Sequence, residues 1–164
     1  MEKWALYDKN LKPLNKLVDR DSLLQKGEYH LSVHAWIKKD NKFLIFQRDE
    51  NKKIFPNFYE PIAGGVNEYE SSLDTVIREV KEESGIDLNE EQIIKKFSVV
   101  NNECKYKEIC DVYVFEIDFN IEDIKIEKGK NKNPRLLTKE EIIKLIDDKQ
   151  FLPLVIYSNQ IEKF

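Results

Sequence analysis

The clearest pattern of hydrophobic and polar positions lies in two neighbouring stretches of the first third of the chain. The segments "HLSVHAWIKK" (30–39) and "KFLIFQRD" (42–49) are rich in β-branched and aromatic residues, and the polar "DN" lies between them. This arrangement predicts two β-strands joined as a hairpin. Before them, "WALYD" (4–8) predicts a short edge strand, and the polar segment 9–29 predicts a connection.

Two further strands are predicted in the second half of the chain, from "IIKKFSVV" (93–100) and "EICDVYVFEIDF" (108–119). Between the two groups of strands, "ENKKIFPNFYEP" (50–61) contains two prolines and predicts an irregular loop. The segment "IEDIKIEKGKNKNP" (121–134) predicts either an exposed strand or a loop.

Helical periodicity is present in two places. The first helix is predicted from Ser72 to Ser84, with Ser71 or Ser72 as its N-cap and Gly85 as its end. The second is "TKEEIIKLIDD" (138–148), which opens with a capping box of threonine and glutamate. The last segment, "PLVIYSNQIEKF" (153–164), is predicted to continue as a terminal helix.

Strands on both sides of one central helix, with a second helix late in the chain, predict an α/β sandwich. The hairpin-like pairs favour a mixed or largely antiparallel sheet over a doubly wound parallel one. The length of 164 residues fits a single domain, in which residues 1–29 form an N-terminal strand and connection and residues 30–164 form the core.

Composition narrows the class of function. The net charge of −4 argues against a nucleic-acid-binding protein, which needs a clustered positive face. We expect no membrane span and no signal peptide, and the two cysteines, Cys104 and Cys110, without a CxxC pair indicate a reducing cytoplasm. A small phosphorylated substrate remains compatible with this charge.

The stretch "REVKEESG" (78–85) places three carboxylates close together on the predicted first helix. At about 100° per residue, Glu79, Glu82 and Glu83 share one arc, next to the apolar arc that faces the core. A solvated helix surface is the ordinary explanation of such a run. Clustered carboxylates are also what Mg²⁺ binds, together with substrate phosphates and water.

Upstream residues decide between these two interpretations. Gly64 precedes Glu70 by six positions, and Glu70 precedes Arg78-Glu79 by eight. Together with Glu82, Glu83, Gly85 and Ile86, this spacing resembles the Nudix box. The resemblance covers residues 64–86, and it implies an α/β/α sandwich in which the box forms a loop, a helix and a second loop. It also implies a Mg²⁺- or Mn²⁺-dependent hydrolase that cleaves a nucleoside diphosphate linkage by water attack on phosphorus.

The same resemblance implies roles for the residues of the box. Glu79 and Glu83 would be metal ligands, Glu82 would be a third ligand or contact the metal through water, and the carbonyl of Gly64 would be a further ligand. Arg78 and Glu70 would form an ion pair that fixes the loop against the helix and orients Glu79. The general base is left open between Glu79 and a carboxylate outside the box.

A second likeness, carried by "GEYHLSVHAWI", "FLIFQRD", "FPNFY" and "KEICDVYVF", is to isopentenyl-diphosphate isomerase, which shares the Nudix fold. Isomerase chemistry needs a cysteine and a histidine before the box, where this chain has Ala63 and Gly65. Tyr106 also replaces a glutamate, and Leu23 stands in place of another histidine. We therefore expect a hydrolase of the isomerase-like branch, and not an isomerase.

Outside the box, three residues are candidates for the active site. Glu108 and His30 match isomerase positions, so Glu108 is a candidate base or ligand and His30 a candidate substrate contact. Arg48 is a candidate phosphate contact. The alternatives are an exposed strand-end glutamate, a core histidine, and an ion pair of Arg48 with Asp49 or Glu50.

The sequence does not name the substrate. Asn101 stands where the ADP-ribose group of the family has a proline, and residues 102–104 (Asn, Glu, Cys) lack the tyrosine of the dinucleoside polyphosphate group. A Nudix-fold module that senses a nucleotide without hydrolysing it is the alternative to an enzyme. A homodimer is a further expectation from the resemblance.

Overall fold

The structure is a computed structural model, which describes residues 3–20, 22–102, 107–126, 128–153 and 155–164. Nine strands in these residues form one mixed sheet: β1 (Lys3–Tyr7), β2 (Pro13–Asp19), β3 (Tyr29–Lys39), β4 (Lys42–Arg48), β5 (Tyr59–Glu60), β6 (Ile62–Gly65), β7 (Ile93–Asn101), β8 (Glu108–Glu116) and β9 (Asn131–Thr138). The α-helices are α1 (Ser72–Ser84) and α2 (Lys139–Asp147), and 3₁₀ helices span Glu90–Gln92, Ile121–Asp123 and Ser158–Lys163.

The long strand β3 organises the sheet, because it pairs with four other strands. It runs parallel to β8 from His30 opposite Glu108 to Lys38 opposite Glu116. It runs antiparallel to β1, β4 and β6. Among the outer strands, β2 pairs with β1, β7 with β8, and both β5 and β9 with β4, all antiparallel. The predicted mixed sheet is confirmed.

Each face of the sheet carries a hydrophobic core. On one face, Val76 and Val80 of α1 pack with Val33 of β3. On the other face, Ile142 of α2 packs with Trp36 of β3. Since successive side chains of a strand point to opposite faces, the odd and even positions of β3 serve the two cores. The α/β/α sandwich is therefore confirmed.

The first helix has the predicted bounds and caps. Ser71 is the N-cap, because its side chain accepts a hydrogen bond from the backbone N–H of Asp74. Ser72 is buried instead, and its hydroxyl donates to Asp111 Oδ2 at 2.6 Å. Gly85 ends the helix at φ 77°, a left-handed conformation that favours glycine. These contacts hold α1 in a fixed position against the sheet.

Five sequence-based predictions need correction or refinement. The strand predicted at 4–8 is not an edge strand, because β1 lies between β2 and β3 in the sheet. The connection predicted at 9–29 contains β2, whose residues are almost all exposed, so it has no alternating pattern to reveal it. The loop predicted at 50–61 ends in the short strand β5. The segment 121–134 contains a 3₁₀ helix and the first residues of β9. The predicted terminal helix is wrong, since its described residues form turns and a 3₁₀ helix.

The predicted second helix is confirmed, and its capping box joins Thr138 and Glu141 reciprocally. No helix among the described residues has the length and apolar character needed to cross a membrane.

Candidate metal and substrate site

Gly64 and Glu79 are packed against each other where β6 meets α1. A Cβ atom at position 64 would lie only 2.4 Å from the carboxyl carbon of Glu79. A side chain there would displace the carboxylate, so the contact requires glycine. Glu79 itself is buried. The spacing of the sequence motif therefore corresponds to a close approach of backbone and carboxylate.

Arg78 ties the loop before α1 to the carboxylates of the helix. Its Nε donates to Glu70 Oε1 at 2.8 Å and its Nη2 donates to Glu70 Oε2 at 2.9 Å, which is a bidentate ion pair. Its Nη1 donates to Glu79 Oε1 at 2.9 Å and to Glu82 Oε2 at 3.1 Å. The predicted ion pair with Glu70 is present, and the Arg78 guanidinium lowers the pKa of Glu70.

Glu83 is buried, as Glu79 is, and it contacts the sheet. Asn131, at the start of β9, donates from Nδ2 to Glu83 Oε2 at 3.1 Å. Burial raises the pKa of Glu83 to about 8, and the nearby carboxylate of Glu60 contributes to this rise. A cation placed here would relieve the cost of keeping this group ionised.

Lys130 supplies a cation to the cluster. Its Nζ lies 3.5 Å from Glu79 Oε2, 3.8 Å from Glu82 Oε2 and 4.0 Å from Glu83 Oε1. The three carboxylates that were predicted as metal ligands therefore lie around the Lys130 ammonium, and two of them, Glu79 and Glu82, also contact Arg78. In this arrangement no three His, Cys, Asp or Glu side chains of the described residues are close enough together to coordinate an ion directly.

The chemistry of the cluster fits a hard divalent cation. Its donors are carboxylate oxygens, with the Gly64 backbone beside them, and Mg²⁺ prefers oxygen ligands. The adjoining cavity has a volume of about 410 Å³. Five glutamates and five basic residues line it, and the basic residues besides Arg78 and Lys130 are Arg20, Arg48 and Lys52. The cavity therefore offers carboxylates for a metal and basic side chains for the phosphates of a ligand.

The family model of the NUDIX domain matches residues 28–155 of this chain. The chain belongs to the Nudix family. An uncharacterized Nudix hydrolase of Listeria monocytogenes is 31% identical over 156 residues, which cover 93% of this chain and 89% of the relative. The predicted family is thus confirmed, and with it the class of enzyme, a hydrolase.

Solved structures show the same fold at low sequence identity. The protein DR0079 of Deinococcus radiodurans has a TM-score of 0.74 at 15% identity and covers 99% of this chain and 98% of its own. A bifunctional NMN adenylyltransferase/ADP ribose pyrophosphatase of Francisella tularensis, complexed with AMP and a manganese ion, has a TM-score of 0.65 at 18% identity. The match covers 82% of this chain and 42% of that protein.

A second cavity, of about 220 Å³, lies beside the Nudix box. His30, Ser32 and Glu108 line it, and Glu108 Oε2 accepts a hydrogen bond from Ser32 Oγ at 2.8 Å. Burial raises the pKa of Glu108. Glu108 is thus a buried carboxyl group facing a cavity, and the alternative of an exposed strand-end glutamate is wrong. His34 lines the same cavity.

Trp4 of the N-terminal hairpin lines this second cavity. The Trp4 ring stacks on the His30 ring, with centroids 3.9 Å apart and planes 9° apart. A Cβ atom on Gly65 would lie 3.1 Å from Trp4 Nε1. Trp4 thus fills the space that a side chain at position 65, where the isomerase has a histidine, would need. Together with Ala63, this packing leaves no isomerase-like cysteine and histidine before the box.

Arg48 forms an ion pair, but with neither Asp49 nor Glu50, the partners considered from the sequence. Its Nη1 donates to the two carboxylate oxygens of Glu60 at 3.0 and 2.7 Å. Asp49 instead accepts from Asn51, and Glu50 pairs with Lys132. Arg48 still lines both cavities. The predicted ion pair with Asp49 or Glu50 is therefore wrong, since the partner is Glu60 of β5, and contact of Arg48 with a substrate phosphate stays a prediction.

Several residues of the site escaped sequence analysis, namely Trp4, Arg20, Glu60, Lys130 and Asn131. Glu60 was the easiest of them to find from the sequence, since it lies four residues before Gly64 in the loop "EPIAGG". Trp4 and Arg20 lie outside any motif, in and just beyond the N-terminal hairpin. Lys130 and Asn131 belong to a segment with no distinguishing pattern.

Three other residues of β7 and β8, namely Asp111, Cys110 and Asn101, are buried in the fold. Asp111 accepts hydrogen bonds from Ser72 and Ser98 and so links α1 to the sheet. Cys110 is a buried free thiol. Asn101 is buried and donates to Glu108 Oε1 at 3.4 Å. Residues 103–106, which include Cys104 and Tyr106, lie outside the described residues.

Proposed function

We propose that this Nudix protein is a Mg²⁺- or Mn²⁺-dependent pyrophosphohydrolase, which cleaves the diphosphate linkage of a nucleoside diphosphate-type substrate. The observation that carries the proposal is the convergence of Glu79, Glu82 and Glu83 on one cationic position. The Francisella relative of the same fold, whose complex contains AMP and a manganese ion, supports both a nucleotide-like ligand and a divalent metal.

In this proposal, Glu79, Glu83 and Glu82 hold the metal, with the carbonyl of Gly64 beside them. The metal, when bound, would neutralise phosphate charge and make water more acidic. Arg78 positions Glu79 through the hydrogen bond at 2.9 Å, and Glu70 fixes Arg78 in turn. Removing either of these two residues would leave the ligands present but poorly oriented.

The substrate would bind across the two connected cavities. The basic residues Arg20, Lys52 and Arg48 line the first cavity and would contact the diphosphate. The second cavity, with Trp4, His30 and Glu108, would hold the group attached to the phosphates. Arg48 reaches both cavities, so it would contact the phosphate nearest to that group.

The hydrolytic step requires water to attack one phosphorus atom while the bond from that phosphorus to the bridging oxygen breaks. The leaving phosphate takes the electron pair of that bond, and the attacking water must lose a proton. Glu79 is our candidate acceptor, because its carboxylate borders the first cavity and is oriented by Arg78. Glu108 faces the second cavity, and we therefore assign it to recognition of the attached group.

The proposal is tested by the variants Glu79→Gln and Glu83→Gln. Each keeps the size of the side chain but removes the charge needed by the metal. We expect turnover to fall by more than the roughly 10–100-fold typical of residues behind the ligands. Glu90→Gln, an exposed glutamate after the box, is the matched control and should retain activity.

Activity is measured by chromatographic detection of the phosphomonoester products formed from nucleoside di- and triphosphates, sugar nucleotides, ADP-ribose, NADH and coenzyme A, with Mg²⁺ and with Mn²⁺. Turnover of one class that is lost in both variants supports the proposal. Wild-type rates in both variants would refute the assigned ligands. Binding of nucleotides without turnover of any compound would instead identify a sensing module.

A further inference from the structure

Lys130 occupies the place in the carboxylate cluster where a cation is expected. Its ammonium group lies within 4.0 Å of carboxylate oxygens of Glu79, Glu82 and Glu83. All three distances exceed those of direct hydrogen bonds, so the ammonium neutralises the cluster as a whole and forms no tight pair with one member. Arg78 binds Glu79 and Glu82 directly, but Lys130 also lies near Glu83, so it is the basic side chain within 4.0 Å of all three carboxylates in the described residues.

The backbone that carries this lysine is fixed by the sheet. The carbonyl of Lys130 accepts a hydrogen bond from the Asp49 N–H at 3.2 Å. The next residue, Asn131, pairs with Arg48 in the β4–β9 ladder. The residue before, Gly129, has φ 83°, which lets the chain turn into the strand. The ordered backbone therefore fixes the Cα of Lys130, and the flexible side chain places the ammonium at the cluster.

The neighbouring Asn131 is also committed to the cluster. It is buried, and its Nδ2 donates to Glu83 Oε2. Within the described part of the chain, no protein group hydrogen-bonds to its Oδ1. Two consecutive residues of β9 and the turn before it therefore contact the predicted metal ligands, although they lie some fifty positions after the box.

We propose that Lys130 is an internal counter-cation of the Nudix box, which holds the carboxylate cluster together before metal binds and moves to the substrate phosphates afterwards. The proposal rests on the proposed metal-dependent hydrolysis. A divalent cation must approach carboxylate oxygens to about 2.1 Å, and it repels the ammonium from the same position. The lysine stem is long and flexible, and the adjoining cavity offers it phosphate oxygens as new partners.

Removal of Lys130 should change the affinity for metal and the affinity for substrate in opposite directions. Lys130 competes with the metal, so its removal should increase affinity for a divalent ion in the absence of substrate. The same change removes a phosphate contact and should weaken substrate binding. A residue that only contacts phosphate would leave metal affinity unchanged, and a residue that only supports the fold would weaken both. The direction of the change in metal affinity therefore distinguishes the three roles.

The experiment titrates Mn²⁺ into the metal-free protein and detects free Mn²⁺ by electron paramagnetic resonance, without substrate. Lys130→Met removes the charge while keeping an unbranched side chain, and Lys130→Arg keeps the charge. We expect Lys130→Met to bind Mn²⁺ about tenfold more tightly, because the competing state is abolished, and Lys130→Arg to resemble the wild type. In steady-state assays, Lys130→Met should raise KM.

Lys132→Met is the matched control, since Lys132 lies two residues further along β9 and pairs with Glu50 outside the cavity. It should change neither Mn²⁺ affinity nor KM. Thermal unfolding in the presence of a chelator gives a second measurement: Lys130→Met should lower the melting temperature, and Mn²⁺ should restore it. This restoration separates loss of a counter-cation from general misfolding.

Equal or weaker Mn²⁺ binding by Lys130→Met would overturn the proposal, while hydrolysis by the wild type would leave the proposed function standing. Failure of the wild type and of Lys130→Met alike to bind Mn²⁺ would overturn both. Tighter binding by Lys132→Met as well would attribute the effect to overall charge and would also refute a specific role of Lys130.

Discussion

Acid should destabilise the protein through His34, which is buried next to Tyr157 and Trp36. The Tyr157 hydroxyl accepts a hydrogen bond from Trp36 Nε1 at 2.9 Å and lies 2.6 Å from His34 Nδ1. The hydroxyl oxygen has one hydrogen and two lone pairs, so it can accept from Trp36 and still donate to a bare Nδ1 of neutral His34. Burial lowers the pKa of His34 to about 4.

The sign and size of the effect follow from this pKa. The unfolded chain has an ordinary histidine with a pKa of 6.5, so it binds a proton in a range where folded His34 does not. The stabilising contribution of neutral His34 to folding is complete above pH 6.5, and it is lost as the pH falls toward the pKa of about 4 in the folded protein. The full loss would be about 3 kcal/mol, and about 2 kcal/mol of it falls between pH 7 and pH 5.

The assay is urea unfolding near pH 7 and near pH 5, with the wild type and with His34→Asn. Asparagine can place an amide oxygen near the position of Nδ1 and accept from Tyr157, but it does not titrate in this range. The buried carboxyl groups of Glu60 and Glu108 have raised pKa values and act in the opposite direction, since they favour the folded state at low pH. Both proteins contain them, so the difference between the two isolates His34.

The expected result is that the wild type loses about 2 kcal/mol more than His34→Asn between the two pH values. Cys110 and Tyr157, which are buried nearby, do not contribute, because burial raises their pKa values well above this range. Equal pH dependence of the two proteins would refute the neutral, hydrogen-bonded state of His34.

Two further predictions concern the cavities. Gly64→Ala should lower turnover by about 100-fold with little change in melting temperature, because the new Cβ displaces the Glu79 carboxylate and not the backbone. The exposed-residue variant Glu90→Gln is again the control, and a normal rate for Gly64→Ala would contradict the close contact. Glu108→Gln should raise KM by about tenfold with kcat nearly unchanged, since Glu108 lines the second cavity with Ser32, whereas a loss confined to kcat would make Glu108 the base.

The parts of the site that sequence predicts are those held by local chain geometry. The positions of Glu79, Glu82 and Glu83 follow from helical periodicity, and Ser71 and Gly85 mark the ends of α1 by their own chemistry. The ion pair of Arg78 with Glu70 spans only eight residues. Within such short distances, spacing in the sequence determines spacing in the structure.

The parts that sequence does not predict depend on strand pairing over long distances. Lys130 reaches the box because β9 pairs with β4 in one particular register, and Trp4 reaches His30 because β1 pairs with β3. Neither register follows from periodicity in the sequence, since β2 is almost entirely exposed and Pro134 interrupts the pattern of β9. Glu60 likewise meets Arg48 only after β5 pairs with β4.

The two cavities share Arg20, Arg48, Glu60, Ala63 and Gly64, and each also has residues of its own. The box supplies the acidic side of the first cavity, while the N-terminal hairpin and β8 supply Trp4 and Glu108 to the second. Substitutions in that hairpin can therefore reshape the second cavity without altering any residue of the box. Such a division lets selection diversify what the protein accepts while its most constrained residues stay unchanged, so the hairpin is where related chains should diverge first.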